Sequence, residues 1–226
     1  MTSIAARAAS RGVRRLCHLT PVRNLIHIAS GAGLMSVADL EADRAAFTQQ
    51  DLARYDGRRE HVSCSVEYPN VWYLRQKLGA RSQEQLLYPD WVCLFLDPSL
   101  LDRPGVEFAP VNAAKAHGAY LQEGLGGFEA MYSEGGSYLR GRKPLSCPTD
   151  DQAEVMIPKL VPLSACQSVA VRDEEQARRI YSALDLMSVP PSTFDWVIAP
   201  ELIMTSLSTT IRSGRTPNER RWVEGT

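Results

Sequence analysis

The sequence has few histidines and no clustered cysteines. Of 226 residues, four are His (18, 27, 61, 117) and five are Cys (17, 64, 93, 147, 166). The cysteine count is odd, no Cys-x-x-Cys pair occurs, and the histidines do not share a metal-ligand spacing. A zinc site or a disulfide scaffold is therefore excluded. The thiols read as reduced, mostly buried small hydrophobes of a cytoplasmic protein. Charge of one sign is not in excess: 25 Lys+Arg face 26 Asp+Glu, a formal net charge of −1. That excludes a uniformly basic nucleic-acid binder but not a local basic groove. No apolar run approaches the roughly 18 residues of a membrane span, and no fixed period recurs. Gly-x-x-x-x-Gly-Lys-Ser/Thr, Gly-x-Gly-x-x-Gly before a helix, and Gly-x-Ser-x-Gly are all absent, so P-loop, Rossmann and hydrolase-elbow chemistry fall away. Acids are missing before Asp39, while Arg7, Arg11, Arg14, Arg15 and Arg23 are present. Such a start imitates an organelle transit peptide. Val13–Thr20 already reads as a strand, however, so this stretch is kept with the domain.

What remains is an ordinary globular composition, 44% hydrophobic and 23% charged. Val13–Thr20 predicts a strand, with Thr20-Pro21 as N-cap and first position of a helix from Val22 to about Ser30. Residues 34–60 are polar and irregular. His61–Glu67 alternates apolar with small polar residues, as a strand with one buried face does. Val71–Leu78 predicts a helix. Trp91–Leu96 is nearly continuous apolar and predicts a central strand buried on both faces. Asn112–Gln122 predicts a helix, and 124–148 a long loop with six glycines and the aromatics Phe128, Tyr132 and Tyr138. Strands are expected at 153–157 and 168–171. A helix over Asp173–Leu184 has Asp173 and Gln176 as a capping box. These elements predict an α+β domain with a mixed central sheet flanked by helices. It is expected over 14–187, with 188–226 as a partly flexible, basic C-terminal extension.

Three spots could carry chemistry. Strand alternation puts His18 and Thr20 on one side, where a ring nitrogen and a hydroxyl suit a ribose or an amide. A core histidine beside a helix-capping threonine is the plainer reading. Arg54-Tyr55-Asp56, followed by Arg58-Arg59, offers guanidinium forks matched to phosphate oxygens, or merely a solvated loop. Glu154 opens an apolar strand just after the glycine-rich segment, a place for acid/base work in a cleft or for an edge-strand carboxylate.

Taken together, these spots resemble one family, the DarT-type DNA ADP-ribosyltransferases, the toxins of DarT–DarG toxin–antitoxin pairs. Cys17-His-Leu-Thr20 with Asn24-Leu25 is similar to the family's opening His-x-Thr…Asn-Leu block. Arg54-Tyr-Asp56 precedes Val62-Ser-Cys-Ser-Val-Glu-Tyr-Pro-Asn70, in the place of the family's Arg element and second strand. Gln152-Ala-Glu-Val-Met-Ile157 resembles its Gln-Ala-Glu-hydrophobic strand. The likeness spans roughly 14–182. Many relatives carry Tyr-Val-Pro-Phe-Tyr-Phe where this chain reads Val-Ser-Cys-Ser-Val-Glu-Tyr, which marks a divergent branch.

The resemblance implies an ADP-ribosyltransferase-like fold and transfer of ADP-ribose from NAD, as co-substrate and without a metal, to a base of single-stranded DNA. Thymine is the expected base, with guanine as the alternative. It implies that His18 and Thr20, with Asn24, hold NAD, that Arg54 contacts the pyrophosphate and positions the ribose, that Tyr73 or Tyr68 stacks near nicotinamide, and that Glu154 is the catalytic acid/base. Tyr132, Tyr138, Arg140 and Arg142 (with Lys143) are expected to meet DNA by stacking and phosphate contact. The implied protein is a cytoplasmic monomer that blocks replication, as in phage defence, with a DarG-like macrodomain antitoxin as partner and no membrane contact. A third rival, a non-catalytic DNA- or protein-binding module, is argued against by the presence of His18, Arg54 and Glu154 together, and two further rival functions stand beside the transferase. One is a transferase of the same fold acting on RNA or protein, and the other a metal-dependent nuclease built on Asp150, Asp151 and Glu154.

Overall fold

The computed structural model describes residues 3–42, 55–70, 72–73, 90–134 and 139–225. Its frame is a nine-stranded mixed sheet. In chain order the strands are β1 (Leu16–Pro21), β3 (His61–Val66), β4 (Trp91–Leu96), β5 (Glu107–Ala109), β6 (Gln122–Glu123), β7 (Glu154–Pro158), β9 (Cys166–Val171), β10 (Asp195–Ile198) and β11 (Arg220–Trp222). The short β2 (Gly33–Leu34) and β8 (Val161–Pro162) pair separately. The spatial order is β11-β10-β9-β4-β1-β3-β7-β5-β6, antiparallel except for β9 and β10. The helices are α1 (Ile4–Ser10), α2 (Val22–Ser30), α3 (Val37–Ala42), α4 (Gly124–Ala130), α5 (Glu174–Leu186) and α6 (Leu207–Arg212). The expected mixed sheet flanked by helices is thus the observed one.

β4 is buried along its whole length, which is why its sequence is apolar without alternation. It pairs with β1 over six residues, from Leu16↔Leu96 to Pro21↔Trp91. β1 pairs with β3 at only two, Leu16↔Val66 and Cys17↔Ser65. Past that point the sheet parts into two ladders, leaving His18–Thr20 on one side of the gap and the start of β3 on the other. The side chains follow the two-residue alternation. Leu16, Val62, Cys64, Leu94, Val155 and Ile157 belong to the main core on one face. Cys17, Cys93 and Phe95 belong to a second cluster on the other, with Tyr68, Cys147 and Leu207. All five thiols are free and buried. Burial pushes Cys147 and Cys166 up to about 12 and raises Cys64 and Cys93 well above the ordinary thiol value, so these four are not thiolate nucleophiles at neutral pH.

Several local expectations are corrected. Thr20 is inside β1, and the N-cap of α2 is Pro21, with no side-chain cap. The expected helix over 112–122 is only a 3-10 turn at Lys115–Gly118, in which Ala116 and His117 take left-handed φ of 51° and 54°. Gly118 faces the Asp56 carbonyl so closely that a Cβ would lie 2.6 Å from it. The glycine-rich loop opens instead with the helix α4. Poor helix formers are tolerated there because Phe128 is fully buried, edge-on to Phe108 at 5.7 Å. Gly127 approaches the Gln122 carbonyl where a Cβ would sit at 2.4 Å. Of the expected 71–78 helix, Trp72 and Tyr73 are helical and the rest lies outside the described residues. The capping box is present with a shift. Asp173 accepts from Gln176 N–H at 2.8 Å, and Gln176 Oε1 accepts from Arg172 N–H at 2.7 Å.

Both ends of the chain pack onto the domain. α1 is tied down by Ala5 N–H donating to Asp102, and by Arg7 and Arg11 pairing with Glu129. Beyond residue 187, β10 and β11 extend the sheet, and Trp196, Trp222 and Tyr181 meet edge-on or tilted at 5.8 to 6.2 Å. α6 is anchored by a buried charge cluster. Asp151 accepts from Lys143, from Ser208 and from Arg212 Nη2 at 2.8 Å. Burial alone would raise the Asp151 carboxyl. The hydrogen bonds from Lys143 and Ser208 and the charges of Lys143 and Arg212 hold it below the usual carboxylate range.

Tyr132 is core. Its ring is 5.1 Å from Phe128, with the Arg11 guanidinium 4.1 Å above it and its hydroxyl donating to the Ser146 carbonyl at 3.2 Å. Tyr132→Ala is expected to cost about 3–5 kcal/mol, seen as a melting temperature lower by about ten degrees.

Asp151→Asn removes the counter-ion of a buried lysine and is expected to cost about 3–5 kcal/mol at neutral pH. With its pKa depressed in the fold, Asp151 contributes fully above the unfolded value of about 3.9, and that contribution fades as pH falls through the lower folded value. The stability gap between wild type and variant, measured by urea titration, should therefore narrow from about pH 6 to pH 2.5.

Candidate active site

The gap between β1 and β3 is spanned by one side chain. His18 Nδ1 lies 2.9 Å from the Ser63 carbonyl oxygen. A carbonyl only accepts, so Nδ1 carries the proton and donates. In the neutral ring Nε2 is then an acceptor, the polarity that matches a sugar hydroxyl. Ser63 also reaches the other way, its Oγ donating to Glu154 Oε1 at 3.1 Å. Ala113 N–H donates to Glu154 Oε2 at 2.7 Å. His18 and Glu154 are thus joined through one residue, although they come from strands on opposite sides of the gap.

The placement follows from register. Cys64 pairs with Val155 and Ser63 with Met156, so Ser63 and Glu154 project to one face while Val155 and Ile157 anchor β7 in the main core. Glu154 is half-buried at the strand start. The loop carrying Ala113 is stiffened by Asn112 Oδ1 accepting from Ala114 N–H at 2.9 Å, and it leads into the left-handed pair Ala116-His117. That turn touches the Asp56 backbone at Gly118. The end of the Arg54-Tyr-Asp motif therefore lies against the same loop that holds the Glu154 carboxylate. Ser63 and Ala113 were missed by sequence reasoning. A serine in an alternating strand gives only a weak signal, and a backbone N–H gives none.

The other expected site residues divide. Thr20 is buried on the His18 side of β1, and Asn24 is half-buried in the first turn of α2. Tyr73 packs edge-on to Trp91 at 6.1 Å, and Trp91 pairs with Pro21, so Tyr73 stays at the His18–Thr20 end of the sheet. Tyr68 is corrected: it is buried in the second core cluster, 5.4 Å from the Arg15 guanidinium, with burial pushing its phenol up to about 12. Arg54 and Tyr138 lie outside the described residues. Arg58 pairs with Glu107 and Arg59 with Glu41. Tyr132 is corrected from DNA contact to core, enclosed by Phe128 and Arg11. Arg140 donates to the carbonyls of Cys147 at 2.8 Å and Pro144 at 2.7 Å and braces its own loop, whereas Arg142 is exposed. Lys143 is buried against Asp151 rather than open to phosphate.

The nuclease constellation does not assemble. Asp151 is held by Lys143 and Arg212, and Glu154 by Ser63 and Ala113. Among the described residues, no group of three His, Cys, Asp or Glu side chains is placed to hold a metal. No helix among them is long and apolar enough to cross a membrane.

Comparison with known proteins bears on the fold and on the family. No curated protein matches the sequence. Among solved structures, Thermosipho africanus DarTG in complex with ADP-ribose aligns at a TM-score of 0.59 with 14% identity over 84% of this chain. The chain spans about half, 51%, of that protein's length. Thermus sp. 2.9 DarT in complex with carba-NAD+ aligns at 0.56 with 14% identity, covering 84% of this chain and 98% of that one. The same protein in complex with ADP-ribosylated single-stranded DNA aligns at 0.51 with 15% identity, covering 79% and 91%. These likenesses fix the fold. The family model for the single-stranded-DNA thymidine ADP-ribosyltransferase DarT matches residues 17–198, from the strand that carries His18, past Glu154, to the end of β10, and the chain belongs to that family.

Proposed function

We propose that this protein transfers ADP-ribose from NAD+ to a base of single-stranded DNA, thymine first. The observation that carries the reading is the His18–Ser63–Glu154 connection across the parted strands. It sets a hydroxyl-binding ring and a carboxylate on either side of one gap, in a chain whose family is defined by this reaction. The relatives' complexes are with ADP-ribose, carba-NAD+ and modified DNA. Neither phage defence nor a metal-dependent nuclease finds support among them.

The chemistry can be derived from the residues. Breaking the nicotinamide–ribose bond passes through an oxocarbenium-like state, as glycoside hydrolysis does. A carboxylate fixed at both oxygens cannot swing away from that developing charge. Glu154, so held, stabilises it and then takes the proton from the attacking base nitrogen. General-base help is worth about 10²–10⁴-fold, and the fixed geometry adds to it. His18 accepts from a ribose hydroxyl through Nε2, with Thr20 and Asn24 beside it. Tyr73 closes the nicotinamide end, and Arg54 keeps its place on the pyrophosphate by resemblance to the family. The base must leave its stack, which is cheap only in a single strand. A DarG-like macrodomain antitoxin is the proposed partner. A cytoplasmic location is proposed from the five unpaired thiols.

Glu154→Ala is expected to lower transfer by at least about 10²-fold while NAD+ still binds. The measurements are a mass shift on single-stranded oligonucleotides and calorimetric titration with NAD+. The same variant should relieve growth arrest in bacteria that express the chain without an antitoxin. Equal growth of wild type and variant at equal protein level would refute the toxin reading.

His18→Ala is expected to raise KM for NAD+ by about three- to ten-fold, the loss of one neutral hydrogen bond, and to leave KM for the oligonucleotide unchanged. A rise in the DNA constant alone would move His18 out of the NAD+ site.

A further inference from the structure

The family match ends at residue 198, and the C-terminal segment beyond it folds back onto Asp151, in the turn before Glu154. α6 makes that contact, three residues before Glu154, a separation of at most about 10 Å of chain. A narrow cleft lies there, lined by Ser65, Ala153, Asp150, Lys143, Ser208 and Ile211. Ser65 is one step along β3 from the Cys64↔Val155 pair, and so is the cross-strand neighbour of Glu154. The interior offers only about 30 Å³, space for a water or two. A nucleotide does not fit inside it.

Arginines neighbour the residues that line the cleft, Arg212 through Asp151 and Arg142 next to Lys143. Arg212 is held at one side by Asp151 yet remains half exposed. The turn after α6 packs on Arg142. Gly214, at φ +84°, comes so close that a Cβ would lie 3.1 Å from the Arg142 carbonyl oxygen and 3.3 Å from its Cβ. Arg142 and Arg215 are exposed, and among the described residues neither guanidinium makes an ion pair with a carboxylate. A chain of net charge −1 thus carries three arginines together, with Lys143 beneath them, and Asp151 is the one carboxylate shown paired with any of these four among the described residues. Exposed Leu139 and Leu145 flank Arg142 in the same stretch and give bases an apolar surface. Guanidinium forks match phosphate oxygens, and unspecific single-strand grooves combine cations that track the backbone with surface for the bases.

We propose that Arg142, Arg215 and Arg212 form a phosphate track for single-stranded DNA, with the C-terminal segment supplying two of the three cations next to the target base. The choice of DNA as occupant rests on the transferase reading above.

The test uses the full chain and a fluorescent single-stranded oligonucleotide. Its dissociation constant is measured at several salt concentrations for wild type, for Arg142→Ser/Arg215→Ser, and for Arg142→Lys/Arg215→Lys. Arg212 is left in place because it braces Asp151. Two lost phosphate contacts should weaken binding by about ten-fold at low salt and flatten the salt slope by about 1.4. The lysine pair should keep most of both. Equal melting temperatures and equal NAD+ binding establish that the serine variant is folded. A slope and affinity unchanged in that variant overturn the track, as does a wild-type chain that does not bind the oligonucleotide. Mass spectrometry on the same samples separates the two proposals. DNA modified by NAD+ with an unchanged slope refutes the track alone. DNA bound with the predicted slope change but never modified refutes the transferase reading and leaves the track standing.

Discussion

The site depends on where β1 and β3 stop pairing. Two residue pairs hold the strands together, and from there His18 takes over, its ring reaching the Ser63 carbonyl that would otherwise face a missing ladder partner. A carbonyl stranded at the edge of a gap needs a donor. Supplying it from a histidine fixes the ring's tautomer and direction at the same time. Because Ser63 also holds Glu154, the satisfaction of one backbone group orients both sides of the candidate active site.

The second organising element is the buried Lys143–Asp151 pair with Ser208 and Arg212. A buried pair is weak evidence for stability in itself but costly to break. Here it links three stretches far apart in sequence: the arginine-bearing loop, the turn before β7, and α6. Asp150, its neighbour, is buried without the same compensation. Desolvation holds its carboxyl above the usual range, and its Oδ2 has no partner among the described residues. Adjacent acids therefore have opposite tendencies, set by what faces each.

Legibility in the sequence tracked how local the determining physics was. Trp91–Leu96 was readable because a strand buried on both faces needs no alternation, and α5 because its cap is written in two residues three positions apart, Asp173 and Gln176. His18 and Glu154 were readable as polar residues on otherwise apolar strands. α4 was not, since its glycines argue against a helix and only the contact of Gly127 with Gln122 and the burial of Phe128 explain them. Tyr132 was misread for a similar reason: a flanking glycine run suggests an open loop, whereas the ring is enclosed by Phe128 and by Arg11, more than a hundred positions away. Ser63 and Ala113 act through register and a backbone amide, which one sequence does not display.

The narrow junction between the two ladders has a mechanical consequence. Each half is well tied within itself, β1 to β4 over six residues and β3 to β7 over four, while two pairs join the halves. Between these four strands the seam is thus the shortest run of ladder pairing, and it is where the backbone resists displacement of one ladder against the other least. A molecule lying in the gap and touching both sides acts as a rivet. Binding that needs both sides would favour that arrangement by about 2.7 kcal/mol at a hundred times the dissociation constant, so a ligand held there would tie the two ladders together where the backbone does so least.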